Sequence, residues 1–292
     1  MAIDKKPTIA EAVAAAAEQL VAALKSGRSE VLTNYLEAMA RFRTYSFNNT
    51  MLIFCQKPDA TRVAGFNKWK SFGRSVKKGE HGIQIMAPCI RSKKAKDSLP
   101  VAGDEKRKDS LYFRPVYVFS QEQTEGDELP DLRSIRVEGD ATVHFERLVK
   151  HVADSGIVLE YAHDMRGDGS SSGGKIMLRS GMPEAETFSV LLHELAHERL
   201  HKGDRRKDTT TTVRETEAEA IAFVVCSAIG LSTNGAAANY IGLYNGDADL
   251  LMASLALIQQ TAAAILVAIA DPAKREGSDT DFQEPVSLPL AA

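Results

Sequence analysis

Cysteine is scarce in this chain: Cys55, Cys89 and Cys226 lie far apart and form no C-x-x-C pair. Three thiols so placed make no disulfide framework, and they read as reduced side chains of a cytoplasmic protein. Long apolar runs are also missing. The longest, residues 261–270, reaches only about ten residues, too short to span a bilayer. The first residues carry Lys5 and Lys6 ahead of an Ala/Glu mixture, with no secretory hydrophobic core. The net charge of −3 gives the chain as a whole no preference for polyanions. Together these features predict a soluble, cytoplasmic protein with no membrane partner. At 292 residues, without internal repeats, it is long enough for two domains that each bury a core.

Against this background one stretch stands out, Leu191-Leu192-His193-Glu194-Leu195-Ala196-His197, which contains the pattern H-E-x-x-H. On a helix, residues four apart share a face, so His193 and His197 can point at one ion. Glu194 sits beside them, where a carboxylate can take the proton of an attacking water. The surrounding Leu191, Leu192, Leu195 and Ala196 predict a buried helix, opened by Pro183 with Glu184 and Glu186.

A catalytic zinc needs a third protein ligand. His201 is four residues beyond His197, but a continuous helix separates it from His193 by about 12 Å of rise. Three ligands in line along an axis cannot surround one ion. His201 is therefore expected to be a polar residue at the helix end. The next helix, residues 213–231, offers Glu215, Glu217 and Glu219. Glu215 and Glu219 share a face, whereas Glu217 is rotated from Glu215 by about 200°. Glu215 is the preferred ligand, with Glu219 one turn deeper, able to orient a ligand histidine. Glu217 is expected to face solvent. An acidic helix start, favoured by the helix dipole alone, is the competing explanation of all three. Tyr240, Tyr244 and His201 are candidate donors to an oxyanion.

Helical spacing marks residues 8–24, 29–43 and 45–56, followed by strands at 83–88 and 111–119 with a polar hairpin tip between them. The acidic, turn-prone segment 121–130 closes this first part. A helix at 145–152, a strand at 157–161, a flexible connector at 167–174 and a strand at 175–178 precede the H-E-x-x-H helix. Residues 247–270 form a last amphipathic helix. The fold class expected is α+β in two domains: 1–130 and 140–271, with a linker at 131–139 and a disordered tail at 272–292.

Charge is distributed unevenly. Between Thr61 and Arg114 stand 14 Lys and Arg against five Asp and Glu, a local balance of +9 that leaves the remainder at −12. Phe66, Trp69, Phe72, Tyr112, Phe113, Tyr117 and Phe119 lie among these charges. Stacking rings in a basic groove suit single-stranded nucleic acid, although strand aromatics also serve as core.

The run H-E-L-A-H followed by R-E-T-E-A-E-A-I-A-F-V-V resembles the zincin-like peptidase domain of the ArdC antirestriction and ImmA/IrrE-related families, over about residues 140–270. The resemblance implies a gluzincin arrangement: His193, His197 and Glu215 on Zn2+, Glu194 as base, and hydrolysis of an unidentified protein substrate. Tyr45-Ser46-Phe47-Asn48-Asn49, Trp69, Gly73-Arg74-x-x-Lys77-Lys78-Gly79-Glu80, Ile83-x-Ile85-x-Ala87-Pro88 and Val116-Tyr117-Val118-Phe119 are similar to the N-terminal domain of ArdC-like proteins. That similarity implies single-stranded DNA as partner, with Tyr45, Asn49, Lys68, Trp69, Lys70, Arg74, Lys77 and Lys78 as expected contacts. The family's N-P-x-T-G segment is not visible at the position of Tyr45–Asn49. An antirestriction or mobile-element role follows by implication. The alternative is a DNA-binding antirestriction protein whose metal site is structural or vestigial.

Overall fold

The structure is a computed structural model that describes residues 9–26, 30–91, 110–128, 141–231 and 248–270. The two longest strands carry alternating Ile83 and Ile85, and Val116 and Val118. Strand β1 (Val63–Gly65), β2 (Arg74–Val76), β3 (Ile83–Arg91), β4 (Ser110–Ser120) and β5 (Thr124–Gly126) make two antiparallel sheets, ordered β1-β4-β3 and β2-β5. In the larger sheet Ile83 pairs with Val118 and Ile85 with Val116, and Ile83, Ile85 and Val118 are buried.

Helix α3 (Phe47–Gln56) packs on β3, α1 (Ile9–Lys25) and α2 (Glu30–Arg41) pack on α3, and the short α4 (Phe66–Ser71) follows β1. Ser46 caps α3 by accepting from the Asn49 backbone N–H. Two turns apart on α3, Asn49 and Gln56 close the outer edge of β3. Asn49 donates to the Met86 carbonyl at 2.8 Å and accepts from its N–H at 2.9 Å. Gln56 does the same for Gln84, both contacts at 2.9 Å. Among the described residues β3 has no second neighbour strand, and the two side-chain amides pair with its backbone there instead.

The second half opens with α5 (Ala141–Asp154), then β6 (Val158–Ala162), β7 (Gly169–Ser171) and β8 (Lys175–Arg179). Their order is β6-β8-β7, parallel between β6 and β8 and antiparallel between β7 and β8. Residues 167–174, expected to be a connector, therefore hold an edge strand. Helices α6 (Glu184–Leu200), α7 (Gly203–Asp208), α8 (Thr211–Ala228) and α9 (Ala248–Ile269) complete the fold. The expected linker 131–139, the tail 272–292 and the hairpin tip between β3 and β4 lie outside the described residues.

One apolar cluster runs from Ala16 on α1 to Ile269 on α9. Helix α8 packs on α6 and α9 and also on α2. Gln259 of α9 donates to the Tyr45 carbonyl at 3.0 Å and to Thr50 Oγ1 at 2.9 Å, both buried. The two halves thus share a core. By length and composition the stretch Asp249–Ile269 could cross a membrane, which the uninterrupted run at 261–270 did not suggest. Here Leu251, Leu255, Ile258, Ala262, Ile265 and Ile269 are buried within the fold, as on a core helix.

Candidate metal centre and basic surface

Helix α6 starts after Pro183, and Glu184 and Glu186 in its first turn favour the positive end of the dipole. Phe188, Leu191, Leu192, Leu195 and Ala196 are fully buried and fix its rotation. That rotation brings His193 and His197 beneath α8. Their Nε2 atoms are 3.1 Å apart. Glu215 Oε2 lies 3.3 Å from His193 Nε2, and Glu215 Oε1 lies 3.5 Å from His197 Nε2. Four-coordinate N and O ligands at about 2.0–2.2 Å from an ion stand roughly 3.3–3.6 Å from one another. Two of the three separations fall in this range and the third is 0.2 Å shorter, and the chemistry of the donor set suits one divalent ion, with all three ligand atoms within 4.8 Å of each other.

Glu219 Oε2 is 3.5 Å from His193 Nδ1, on the side of the ring away from the other donors. Burial pulls the His193 pKa down, but Glu219, Glu194 and Glu215 outweigh it and hold the group above its ordinary value. His197 moves the other way. Burial and the charge of His193 depress it to about 4. Glu194 is buried, and that burial raises its carboxyl above the usual range against a hydrogen bond from Ser171. Glu198, one helical turn away, accepts from Gly174 N–H at 2.7 Å and from Lys202 at 2.8 Å, tying α6 to the β7–β8 turn.

One expectation is corrected. Glu217 does not face solvent: its side chain is 0% exposed. Arg205 donates to both its oxygens at 2.6 Å, Ser254 donates to it at 2.5 Å, and His201 Nε2 is 2.9 Å away. His201 ends α6 as its C-cap, as expected, and is buried there. The competing idea of a merely acidic helix start does not describe a buried carboxylate held by three side chains. Sequence offered one signal for this, the run of small residues around Glu217 on α8, which marks a face packed against other helices. Of the candidate oxyanion donors, His201 is committed to its buried partners, and Tyr240 and Tyr244 lie outside the described residues.

The expected DNA contacts divide by burial. Trp69 is 0% exposed and donates from Nε1 to the Phe119 carbonyl at 2.9 Å, so it is a core residue. Tyr45 is buried with its hydroxyl on the Val63 carbonyl, and Asn49 is engaged with Met86. These three present no stacking surface. Arg74 donates to Thr124 Oγ1 at 2.8 Å and the Thr124 carbonyl at 3.0 Å, and Lys77 donates to the Glu122 carbonyl at 2.9 Å. Lys70 and Lys78 are exposed, and Lys68 and Lys70 lie 5.0 Å over the rings of Phe72 and Phe66. The exposed rings are instead Phe113 (60%), Tyr117 (49%), Phe66 and Tyr112. Phe113 and Tyr117 share the outer face of β4, and Phe119 on that face meets Phe66 edge-on at 6.5 Å. Their alternation with the inward Val116 and Val118 was the signal that separates them from Trp69.

Comparison with known proteins gives the same architecture a context. The fold is that of a solved antirestriction protein: the metal-free crystal structure of ArdC from plasmid R388 superposes with a TM-score of 0.53 at 18% identity, covering 87% of this chain and 96% of that one. Residues 4–119 match the N-terminal domain of anti-restriction factor ArdC, so this part of the chain is ArdC-like. The Mn(II)-bound structure of the same plasmid protein aligns at a TM-score of 0.45 and 18% identity, over 82% of this chain and 98% of that one. The uncharacterized protein pXO2-81 of Bacillus anthracis is 24% identical over 241 residues, 70% of this chain; the match spans 41% of that relative's length.

Proposed function

We propose that this ArdC-like chain is an antirestriction protein in which a zinc-dependent peptidase centre is tethered to single-stranded DNA. Its substrate would be a protein associated with that DNA. In this reading residues 1–130 form the DNA-binding unit and 140–271 the peptidase unit, sharing the core described above. The observation that carries the reading is the convergence of His193 Nε2, His197 Nε2 and the Glu215 carboxylate beside the buried Glu194. Two imidazoles and one carboxylate suit zinc by ligand type. When bound, zinc supplies Lewis acidity, polarising a carbonyl and acidifying water.

The remaining steps belong to the chain itself. Glu194 stands in a buried site whose desolvation raises its proton affinity, which suits a base working near neutrality. It takes a proton as the water oxygen bonds to the scissile carbonyl carbon. It returns that proton to the nitrogen as the C–N bond breaks. Strand β7 is the edge of its sheet beside Glu194, so an extended peptide can align along it by main-chain pairing. On the other half, the rings of β4 with Lys70 and Lys78 support stacking on unpaired bases within a basic surface. Holding the centre on DNA raises its effective concentration near DNA-bound proteins.

The test compares wild type with Glu194→Gln, both zinc-loaded and folded, on proteins of a restriction-proficient cell. Cleavage products are expected with wild type alone, at equal binding of a single-stranded oligonucleotide. Cleavage by the folded variant would exclude this mechanism. Antirestriction that survives Glu194→Gln but is lost on removing the β4 rings would instead support the binding-only alternative.

A further inference from the structure

The two histidines of the centre are oriented by different means. His193 turns its Nδ1 to Glu219, a half-exposed carboxylate. His197 turns its Nδ1 inward, 2.9 Å from Nδ1 of His201. His201 Nε2 in turn lies 2.9 Å from Glu217 Oε2, and both side chains are 0% exposed. Four helices meet at this carboxylate: His201 caps α6, Arg205 comes from α7, Glu217 from α8 and Ser254 from α9.

Resting on the reading of His197 as a metal ligand, we infer that His201 and Glu217 are positioning residues that fix the tautomer and ring orientation of His197. The proton count follows from the partners. Glu217 accepts from Arg205 on both oxygens and from Ser254 on one, so it is an anionic acceptor. His201 Nε2 therefore carries a proton and donates it to Glu217. Two ring nitrogens at 2.9 Å share a single proton, so one of the two Nδ1 atoms donates and the other accepts. With the second nitrogen of His201 as acceptor, His197 bears its proton on Nδ1. Its Nε2 lone pair is then left pointing at the donor cluster. The reverse arrangement would put a proton on His197 Nε2, 3.1 Å from His193 Nε2, and block the site. A ligand histidine whose far nitrogen is held in this way is fixed in tautomer and direction.

The experiment uses the full chain and two readouts other than turnover. Nitrogen-15 NMR of the wild-type histidine rings is expected to show His201 protonated at Nε2 and bare at Nδ1, with His197 protonated at Nδ1. A protonated Nδ1 on His201 overturns the inference without any variant. Zinc affinity by chelator competition, with the visible spectrum of the Co(II) form, is then compared among wild type, Glu217→Gln and His201→Ala. Affinity is expected to fall about 10–100-fold in each folded variant, with a changed Co(II) spectrum. If wild type binds zinc and both folded variants keep its affinity and spectrum, the positioning role is wrong and the metal centre stands. If wild type takes up no zinc, the metal-centre reading itself falls.

Discussion

Gly169 lies directly against Glu194: a β-carbon on this glycine would sit 2.8 Å from Glu194 Oε1 and 2.7 Å from Val190 Cγ1. The backbone of β7 thus sets the wall against which the carboxylate rests. Only a residue without a side chain allows this approach.

Substituting Gly169→Ala is predicted to push the Glu194 side chain aside while leaving the donor cluster untouched. Peptide hydrolysis should drop by about tenfold or more, since proton transfer by a positioned base contributes roughly 10²–10⁴-fold. Bound zinc should be unchanged. Hydrolysis at the wild-type rate would mean that Glu194 is not placed by β7.

Phe113 and Tyr117 are exposed on β4, whereas Trp69 is enclosed. Replacing both strand rings by Ala is predicted to weaken single-stranded DNA binding by about 1–3 kcal/mol per base no longer stacked. Thermal stability should barely change. Trp69→Ala should instead cost about 3–5 kcal/mol of stability. Binding titrated against salt beside thermal unfolding separates the two, because lysine–phosphate contacts give affinity a steep salt dependence. A double variant that binds as tightly as wild type would remove β4 from the interface.

Burial pushes the Cys226 thiol up to about 12, against a hydrogen bond from Ser189. In the unfolded chain a thiol ionises near its ordinary value of 9.0. From there upward the unfolded state binds fewer protons than the native one, so stability falls as pH rises. This contribution is fully present below pH 9 and is lost toward about pH 12, at about 1.4 kcal/mol per pH unit for one group. Tyr35, raised by burial and then by Cys55, acts with the same sign above its ordinary 10.0. Denaturant unfolding between pH 9 and 10 is predicted to show a shallower slope for Cys226→Ala than for wild type. Equal slopes would contradict the assignment.

What could be read in advance follows from how local each signal is. The placement of His193 and His197 needs only the pitch of one helix. The shared face of Glu215 and Glu219 needs only the pitch of a second. Glu217 escaped this logic because helical rotation says which way a side chain points, not what covers it. Its partners His201, Arg205 and Ser254 come from three other elements, and Ser254 is 37 residues away. Trp69 and Phe66 are close in sequence, on one short helix among lysines, and only packing against β4 distinguishes the buried ring from the exposed one. Asn49 likewise drew attention as a polar residue in a family motif, yet its amide serves the edge of β3. The pairing of β7 with β8 was hidden by Gly and Ser residues that carry no apolar alternation.

The proposed centre requires His193, His197 and Glu215 together to hold one metal ion. The most direct measurement is zinc bound per folded chain, by equilibrium dialysis and elemental analysis, for wild type, Glu194→Gln and Glu215→Ala. One tightly held zinc is predicted in wild type and in Glu194→Gln, with strong loss in Glu215→Ala. A wild-type chain that binds none, or a Glu215→Ala chain that binds zinc as tightly as wild type, would contradict it.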